Sequence, residues 1–498
     1  MKLTPSLDDF LELSKEYNII PVHCEFYGDT ETPVAAYQKL RKDGGPSFML
    51  ESVTGGETIG RYTFLGTDPE KEIKIYPDQT VIRHKSGETE TINTGDDPLA
   101  VVEQLFESYK TPTPDPNEPV FLGGAVGYIG YEYIHTVEPT VPKPDHAELD
   151  TPLAYFLITD AVVCFDHAQQ RLSIYANANV GESPEKAYTK AKKSIEEILA
   201  KLSQPLNREF TPIPASVEKL PEMRSNFTPE EFHGAVSRIK EYIVEGDIFQ
   251  TVLSQRFEVD FPHSPLSLYR ALRNVNPSPY MTLLECDEFA IVSASPEVHV
   301  KVKEGQVEIR PIAGTRPRGK TQQEDEQLEK DLLADTKEKA EHLMLVDLAR
   351  NDIGRVCKVG SIELPQFMII ERYSHVMHIV TQVLGQLDND KNAFDLMRAT
   401  FPAGTISGAP KVRAMQIISE LEKTQRGSYS GALGYFSFSG NHDSAIAIRT
   451  AVLKNEKVYL QAGAGIVADS DPQREYEETV NKAKGMLTAV QQSLADVR

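Results

Sequence analysis

Apolar and polar positions along the chain alternate between two rhythms. Period-two runs predict strands at 47–65, where SFMLESVTGGETIGRYTFL reads as strand, Gly-Gly turn, strand, and at 72–76, 81–84, 154–165 and 171–176. They return at 248–259, 280–285, 288–293, 298–303, 306–310 and 457–461. Helical spacing predicts helices at 6–18, about 183–202, from Pro229, over about 323–351 with one break, and from Pro472 onward. Thr228, with Glu231 three positions on, is a capping-box start for the stripe Phe232, Val236, Ile239, Ile243. Asp471-Pro472 opens the stripe Tyr476, Val480, Ala483, Leu487, Val490, Leu494. The segment 121–134, FLGGAVGYIGYEYI, is not a dinucleotide fingerprint, because aromatics interrupt it and no helical pattern follows. It reads as a glycine-and-aromatic strand.

Strands follow strands and helices stand apart, which is the pattern of an α+β protein with antiparallel sheets rather than βαβ units. Proline-rich, aperiodic residues before Asn226 divide the chain. A first region at 1–205, a linker at 206–225 and a second region at 226–498 are expected.

Composition narrows this picture. The 498 residues suffice for two or three domains or one two-part unit. The N-terminal stretch is acidic and amphipathic, unlike a signal peptide, and no segment approaches a membrane span. Cys24, Cys164, Cys286 and Cys357 lie far apart and form neither a disulfide framework nor a zinc motif. A reducing cytoplasmic location is expected. A net charge of −22 argues against nucleic acid as a partner. It also repels an anionic substrate at long range, so local cations and backbone donors must hold one.

Candidate chemistry collects in five places. Gly463, Ala464 and Gly465 read as an anion-binding turn ahead of the last helix. On that helix Glu478 and Lys482 lie one turn apart, as an offered carboxylate and ammonium or as an ordinary surface pair. In HLMLVDLARND, Asp347 interrupts an apolar run, and Glu341 shares a face with Leu345 and Leu348. Such charges need a partner or a metal, or they reach solvent and Arg350. His375 and His378 flank a strand. FPAGTISGAPKVRAM (401–415) turns the chain or binds an anion, and 431–451 reads as a hairpin with Arg449 on its second strand.

Ten stretches in series resemble the chorismate-utilising enzymes, most closely the anthranilate synthase large subunits (component I). They are MLESVTGGETIGRYTFLG, NPSPYM, SASPE, IRPIAGTRPRG, AEHLMLVDLARNDIGRV, RYSHVMH, FPAGTISGAPKVRAM, RGSYSGALGYF, AIAIRTA and QAGAGIVADSDPQREYEETVNKA. The resemblance implies large antiparallel sheets packed face to face with helices outside. It implies amination of chorismate at C2 by ammonia, loss of the C4 hydroxyl, and elimination of pyruvate to leave anthranilate. It implies Mg²⁺ held by Glu341 and Glu478, with chorismate contacts at Gly314, Thr315, Tyr429, Arg449, Gly463, Ala464 and Gly465. Mg²⁺ takes carboxylate and substrate oxygens while keeping waters, and an arginine fork grips a carboxylate. Glu297 is the expected general acid for the departing hydroxyl, and His378 the group that assists aromatisation. Lys482 adds positive charge beside the substrate or remains a surface partner of Glu478.

Two positions choose among relatives. Gln250 stands where the resemblance places lysine in water-using members, and an amide cannot act as a base toward water. Ala313 stands where many aminodeoxychorismate synthases carry a nucleophilic lysine. Aminodeoxychorismate synthase, or an inactive tryptophan-binding relative, is the alternative reading. None of the four cysteines has a glutaminase setting, so a separate glutamine amidotransferase subunit (component II) in a hetero-oligomer, or free ammonia, is expected. The MLES and NPSPYM segments imply an inhibitory L-tryptophan pocket at Ser52, Pro279, Tyr280 and Met281 with Glu51 adjacent; their other reading is a hairpin strand and a turn joining the two regions.

Overall fold

The computed structural model describes residues 1–53, 60–144, 146–181, 183–206, 220–373 and 376–495. Two 12-stranded sheets face each other. The first runs Ile19–Tyr27, Arg171–Asn179, Ala161–Asp166, Tyr62–Thr67, Ser47–Glu51, Tyr280–Glu285, Ala290–Ser295, Thr450–Lys454, Lys457–Ile466, Gln250–Asp260 and Arg224–Ser225. The second runs Ile312–Pro317, Val376–Gln386, Gln306–Ile309, Val298–Lys303, His442–Ile446, Ala432–Ser437, Gly124–Ile129, Ala154–Thr159, Lys71–Ile75, Gln79–His84 and Thr89–Asn93. Short strand Gly408–Ala409 and strand Glu363–Arg372 attach beside these rows.

Residues before 206 supply one contiguous half of each sheet and residues after 220 the other. Two strand pairs sew the halves together. One sets Met281 opposite Glu51, and the other sets Gly434 opposite Gly127. At the second seam a Cβ on Gly124 would fall 2.0 Å from the Phe436 carbonyl oxygen, so glycine there permits close backbone approach.

Between the sheets lies an aromatic core that includes Phe48, Phe64, Phe121, Tyr128, Tyr155 and Tyr435. On the outer face of the first sheet, helices Leu7–Leu13, Pro33–Leu40, Pro184–Leu202, Pro265–Val275 and Pro472–Ala495 bury their apolar stripes. Helices Ala100–Glu107, Thr336–Gly354, Ala393–Thr400 and Lys411–Leu421 cover the second. The order is helix, sheet, sheet, helix, as expected for the α+β class. The capping box at Thr228 and Glu231 forms, and so does the Asp471 cap on the last helix. The long pattern near 323–351 breaks at Asp335, which caps the second helix with its side chain.

Several local expectations are corrected. The strand expected at 154–165 divides at Asp160, and its two parts join different sheets. The first helix stops at Leu13. A 3-10 turn, Tyr131–Tyr133, and one helical turn, Ile134–Val137, follow the glycine-rich strand, where no helix was expected. Gly463, Ala464 and Gly465 lie inside strand Lys457–Ile466, not in a turn, because the partner strand Gln250–Asp260 runs alongside all three. Most of the expected linker (207–219), the Gly-Gly turn within 54–59 and His375 lie outside the described residues. The cysteines are all free and buried. Among the described residues no helix is long and apolar enough to cross a membrane.

One buried ion pair ties the second region together. Arg426 spends all five donors: Nε and Nη2 on Glu422, Nη1 on the Ile406 carbonyl and the Ser430 hydroxyl, and Nη2 also on the Val252 carbonyl. Glu422 also accepts from the Ser254 amide and hydroxyl. The guanidinium lies 4.6 Å from the Tyr131 ring centroid and 5.6 Å from that of Tyr429. Removing one partner leaves an uncompensated buried charge. Arg426→Ala is therefore expected to lower stability by about 3–5 kcal/mol, read from urea unfolding of the variant against the parent chain.

Candidate active site

The candidate site lies where strands Ile312–Pro317 and Val376–Gln386 pack against helix Thr336–Gly354, and strand Lys457–Ile466 against helix Pro472–Ala495. From the second sheet come Gly314, Thr315 and His378. Gly314 has φ +68° and sits at a register shift between Ala313 and Thr315, so the chain bulges there. Its carbonyl faces His378 Nδ1 at 2.9 Å, and the Thr315 hydroxyl is 3.2 Å from the same nitrogen. A carbonyl only accepts, so Nδ1 carries the proton and Nε2 of the neutral ring keeps its lone pair. Burial holds the His378 pKa below the ordinary imidazole value and Arg449 pushes the same way, against the Gly314 carbonyl and Glu371.

From the first sheet comes the edge of strand Lys457–Ile466 that, past Leu460, lacks a strand partner among the described residues. The neighbouring strand Thr450–Lys454 pairs only as far as Leu460. Beyond it the Gly463 carbonyl turns outward and accepts from Lys482 Nζ at 2.9 Å. On the other side, Val252 opposite Gly465 sends its amide to Ser407. Antiparallel alternation therefore directs the Gly463 and Gly465 amides to the open edge and leaves that of Ala464 in the ladder with Leu253. The two glycines also make room. An added Cβ would fall 2.8 Å from the Tyr429 hydroxyl at Gly463 and 2.7 Å from Gln250 Nε2 at Gly465. Gln250 Nε2 donates in turn to Glu341 Oε1 at 3.2 Å.

The two helices bring the carboxylates. Burial, first, and then the charges of Glu338 and Glu478 raise the Glu341 pKa, while Gln250 and Lys337 oppose the rise. Glu341 and Glu478 thus share one electrostatic neighbourhood although far apart in sequence. Lys482 pairs with Glu478 at 2.7 Å while holding Gly463, so the surface pair and the cleft contact are one arrangement. Asp347 is exposed and pairs with Arg350 at 3.1 Å, away from this cluster. Among the described residues no three His, Cys, Asp or Glu side chains gather into a closed metal cage. Glu341, largely withdrawn from water, and the more exposed Glu478 offer hard carboxylate oxygens of the kind that suit Mg²⁺, which would leave the rest of its shell to substrate oxygen and water.

Glu297 and Arg449 stand where the chain crosses between the sheets. Glu297 links strands Ala290–Ser295 and Val298–Lys303, and Arg449 links His442–Ile446 and Thr450–Lys454. Arg449 is thus not on the second hairpin strand, which ends at Ile446; it has φ +51°. The crossings bond to each other, Ile446 N–H to the Glu297 carbonyl and Ala294 N–H to the Arg449 carbonyl, both at 3.0 Å. Burial pushes the Glu297 carboxyl up to about 7, against a 2.7 Å bond donated by the Thr405 hydroxyl. Arg449 donates to the Lys482 carbonyl at 3.3 Å; burial lowers its pKa, and the Glu478 charge opposes that.

Strand pairing sets Met281 beside Glu51, and the Val53 amide donates to the Ser278 carbonyl at 3.3 Å. Ser52 and Pro279–Met281 therefore meet at the first seam. Glu51 is buried and paired with Arg273 at 2.8 Å, and the Tyr280 hydroxyl reaches across to Asp443 on the other sheet at 3.1 Å. Sequence reasoning missed Thr405, Glu371 and Tyr373 as parts of the site. Thr405 lies in the glycine-bearing loop 401–415 and Tyr373 in RYSHVMH, but only the fold reveals what they touch.

Residues 45–488 match the chorismate binding enzyme family. Anthranilate synthase component 1 of Aquifex aeolicus is 47% identical over 495 residues, 99% of this chain and 98% of the relative. That of Pseudomonas aeruginosa is 47% identical over 488 residues, 97% of this chain and 98% of the relative. The solved anthranilate synthase component I of Streptococcus pneumoniae superposes with a TM-score of 0.77 at 38% identity, covering 93% of this chain and 98% of that one. A menaquinone-specific isochorismate synthase from Escherichia coli, at 18% identity and a TM-score of 0.70, shares the fold over 98% of this chain and 99% of its own. Gly463→Ala drives a methyl into Tyr429 and Val252. Steady-state kinetics on chorismate should record a loss in kcat/KM of about 100-fold, with overpacking lowering stability by about 1–3 kcal/mol in urea unfolding.

Proposed function

Because the chain belongs to the chorismate-binding enzyme family, within its anthranilate synthase component 1 group, we propose that it makes anthranilate from chorismate and ammonia with Mg²⁺. What supports the proposal is that Glu341, Glu478, Arg449, His378 and the open Gly463–Gly465 edge are neighbours. They are linked by the Gln250–Glu341 and Lys482–Gly463 hydrogen bonds, the Lys482–Glu478 ion pair and the Arg449 bond to the Lys482 carbonyl, with Arg449 near enough to act on the His378 ring. Glu341 and Glu478 would hold the metal. When bound, Mg²⁺ supplies the positive charge that makes two carboxylates attractive to a dianionic substrate.

The chain's own groups do the rest. Arg449 grips a substrate carboxylate, and the Gly463 and Gly465 amides receive an oxygen. Glu297, with its carboxyl near 7, holds a proton at neutral pH and gives it to the C4 hydroxyl, which leaves as water while ammonia adds at C2. The new C2 ammonium returns a proton to the Glu297 carboxylate. His378 Nε2 then takes the C2 proton as the C3–O bond breaks, the ring becomes aromatic, and the released enolpyruvate gains a proton at its methylene carbon to become pyruvate. Gln250 hydrogen-bonds Glu341 and offers no base toward water, which favours ammonia as nucleophile. Ala313 leaves no lysine to form a covalent adduct.

Ammonia arrives from a separate amidotransferase component, as the "component 1" names of the relatives suggest. The meeting of Ser52 with Pro279, Tyr280 and Met281 at a seam between the halves supports an inhibitory tryptophan pocket there. The Tyr280–Asp443 bond between the sheets gives such a pocket a contact with the second region. One assay tests the reading. Chorismate with ammonia should give fluorescent anthranilate, lost on removing Mg²⁺ and reduced by L-tryptophan, and glutamine alone should release no glutamate. Isochorismate or 4-amino-4-deoxychorismate as the main product would overturn it.

A further inference from the structure

His378 has a carboxylate for a neighbour, and the structure deals with it in a specific way. Across the strand pair, Glu371 stands directly opposite His378, with Thr315 opposite on the other flank. Side chains so placed have Cβ atoms about 4.5–5.5 Å apart. A carboxylate at that range ordinarily favours imidazolium, and an imidazolium cannot take a proton.

Here both Glu371 oxygens are engaged elsewhere. Oε1 accepts from the Arg310 guanidinium, and Oε2 accepts from the Tyr373 hydroxyl at 2.9 Å. His378 gives its Nδ1 proton to the Gly314 carbonyl instead. The Tyr373 ring packs edge-on against the imidazole, with centroids 5.6 Å apart and planes at 62°. Tyr373 is itself pinned: its amide donates to the Val376 carbonyl at 2.8 Å, and its carbonyl accepts from Arg318 at 2.7 Å. The charged groups acting on the ring are Glu371 from the neighbouring strand and Arg449 from the crossing segment. The Gly314 carbonyl and Thr315 hydroxyl face it from the other flank.

We infer that Arg310 and Tyr373 are positioning residues, which neutralise and turn away the Glu371 carboxylate so that His378 remains a free base beside it. The inference rests on the reading of His378 as the base of the aromatising step. It assigns to the Arg310–Glu371–Tyr373 cluster a role exerted through His378.

The sign of the effect follows from linkage. Activity requires neutral His378 and falls as pH drops through its pKa. Freeing the Glu371 charge raises that pKa and moves the loss to higher pH. Anthranilate formation should be followed against pH at saturating chorismate and Mg²⁺ with free-base ammonia held constant, alongside an NMR titration of the His378 ring. Arg310→Gln is expected to move the acid limb up by about one pH unit, and Tyr373→Phe less far in the same direction. Glu371→Gln should move it down. The double variant Arg310→Gln/Glu371→Gln should lose the upward shift, and Arg310→Lys should restore most of the parent profile. Unmoved limbs, a uniform loss of rate at every pH, or an upward shift that survives in the double variant would overturn the inference. A His378→Ala enzyme that aromatises normally would instead remove the reading of His378 on which it rests.

Discussion

The buried Arg426–Glu422 pair is the interaction on which the second region depends. Its hydrogen bonds reach the inner strand at Val252 and Ser254, the loop at Ile406, the helix carrying Glu422, and Ser430. Its flat guanidinium also lies near the Tyr131 and Tyr429 rings. Tyr429 meets Gly463, and Gly463 meets Lys482. The open strand edge at Gly463 is thus held, two contacts away, by a charge pair withdrawn from solvent. Such a pair adds little net stability over a well-packed apolar replacement. What it adds here is geometry, because five directed donors fix four separate segments.

Withdrawal from water acts in opposite senses on the two proton-transfer candidates. It raises the Glu297 carboxyl to about 7 and lowers the His378 imidazole. One is thereby prepared as an acid and the other as a base by the same cause, with no ion pair between them. Local hydrogen bonds trim each effect: the Thr405 hydroxyl favours the Glu297 carboxylate, and the Gly314 carbonyl fixes the His378 tautomer.

Much of this was legible in the sequence, for identifiable reasons. Period-two runs located most strands, because one face of each strand is buried on a core. The Thr228 and Asp471 caps followed from local chemistry that tertiary packing does not override. Failures came where a segment changes sheet. At 154–165 the apolar run does not pause, yet Asp160 divides it between two sheets. Around Arg449 the backbone enters the left-handed region at a residue with no turn signal. The glycines at 463 and 465 suggested a turn, but their smallness serves the side chains of Tyr429 and Gln250 packed over a strand. Glu371 and Tyr373 were invisible because cross-strand register, which sequence spacing does not give, makes them neighbours of His378.

The two sheet crossings at Glu297 and Arg449 are stitched to each other by main-chain bonds. These bonds are made by main-chain atoms, whichever side chains the crossings carry, so Glu297 and Arg449 are held at a fixed spacing and move together. A slip of one sheet over its mate would spoil both at the same instant, never one alone.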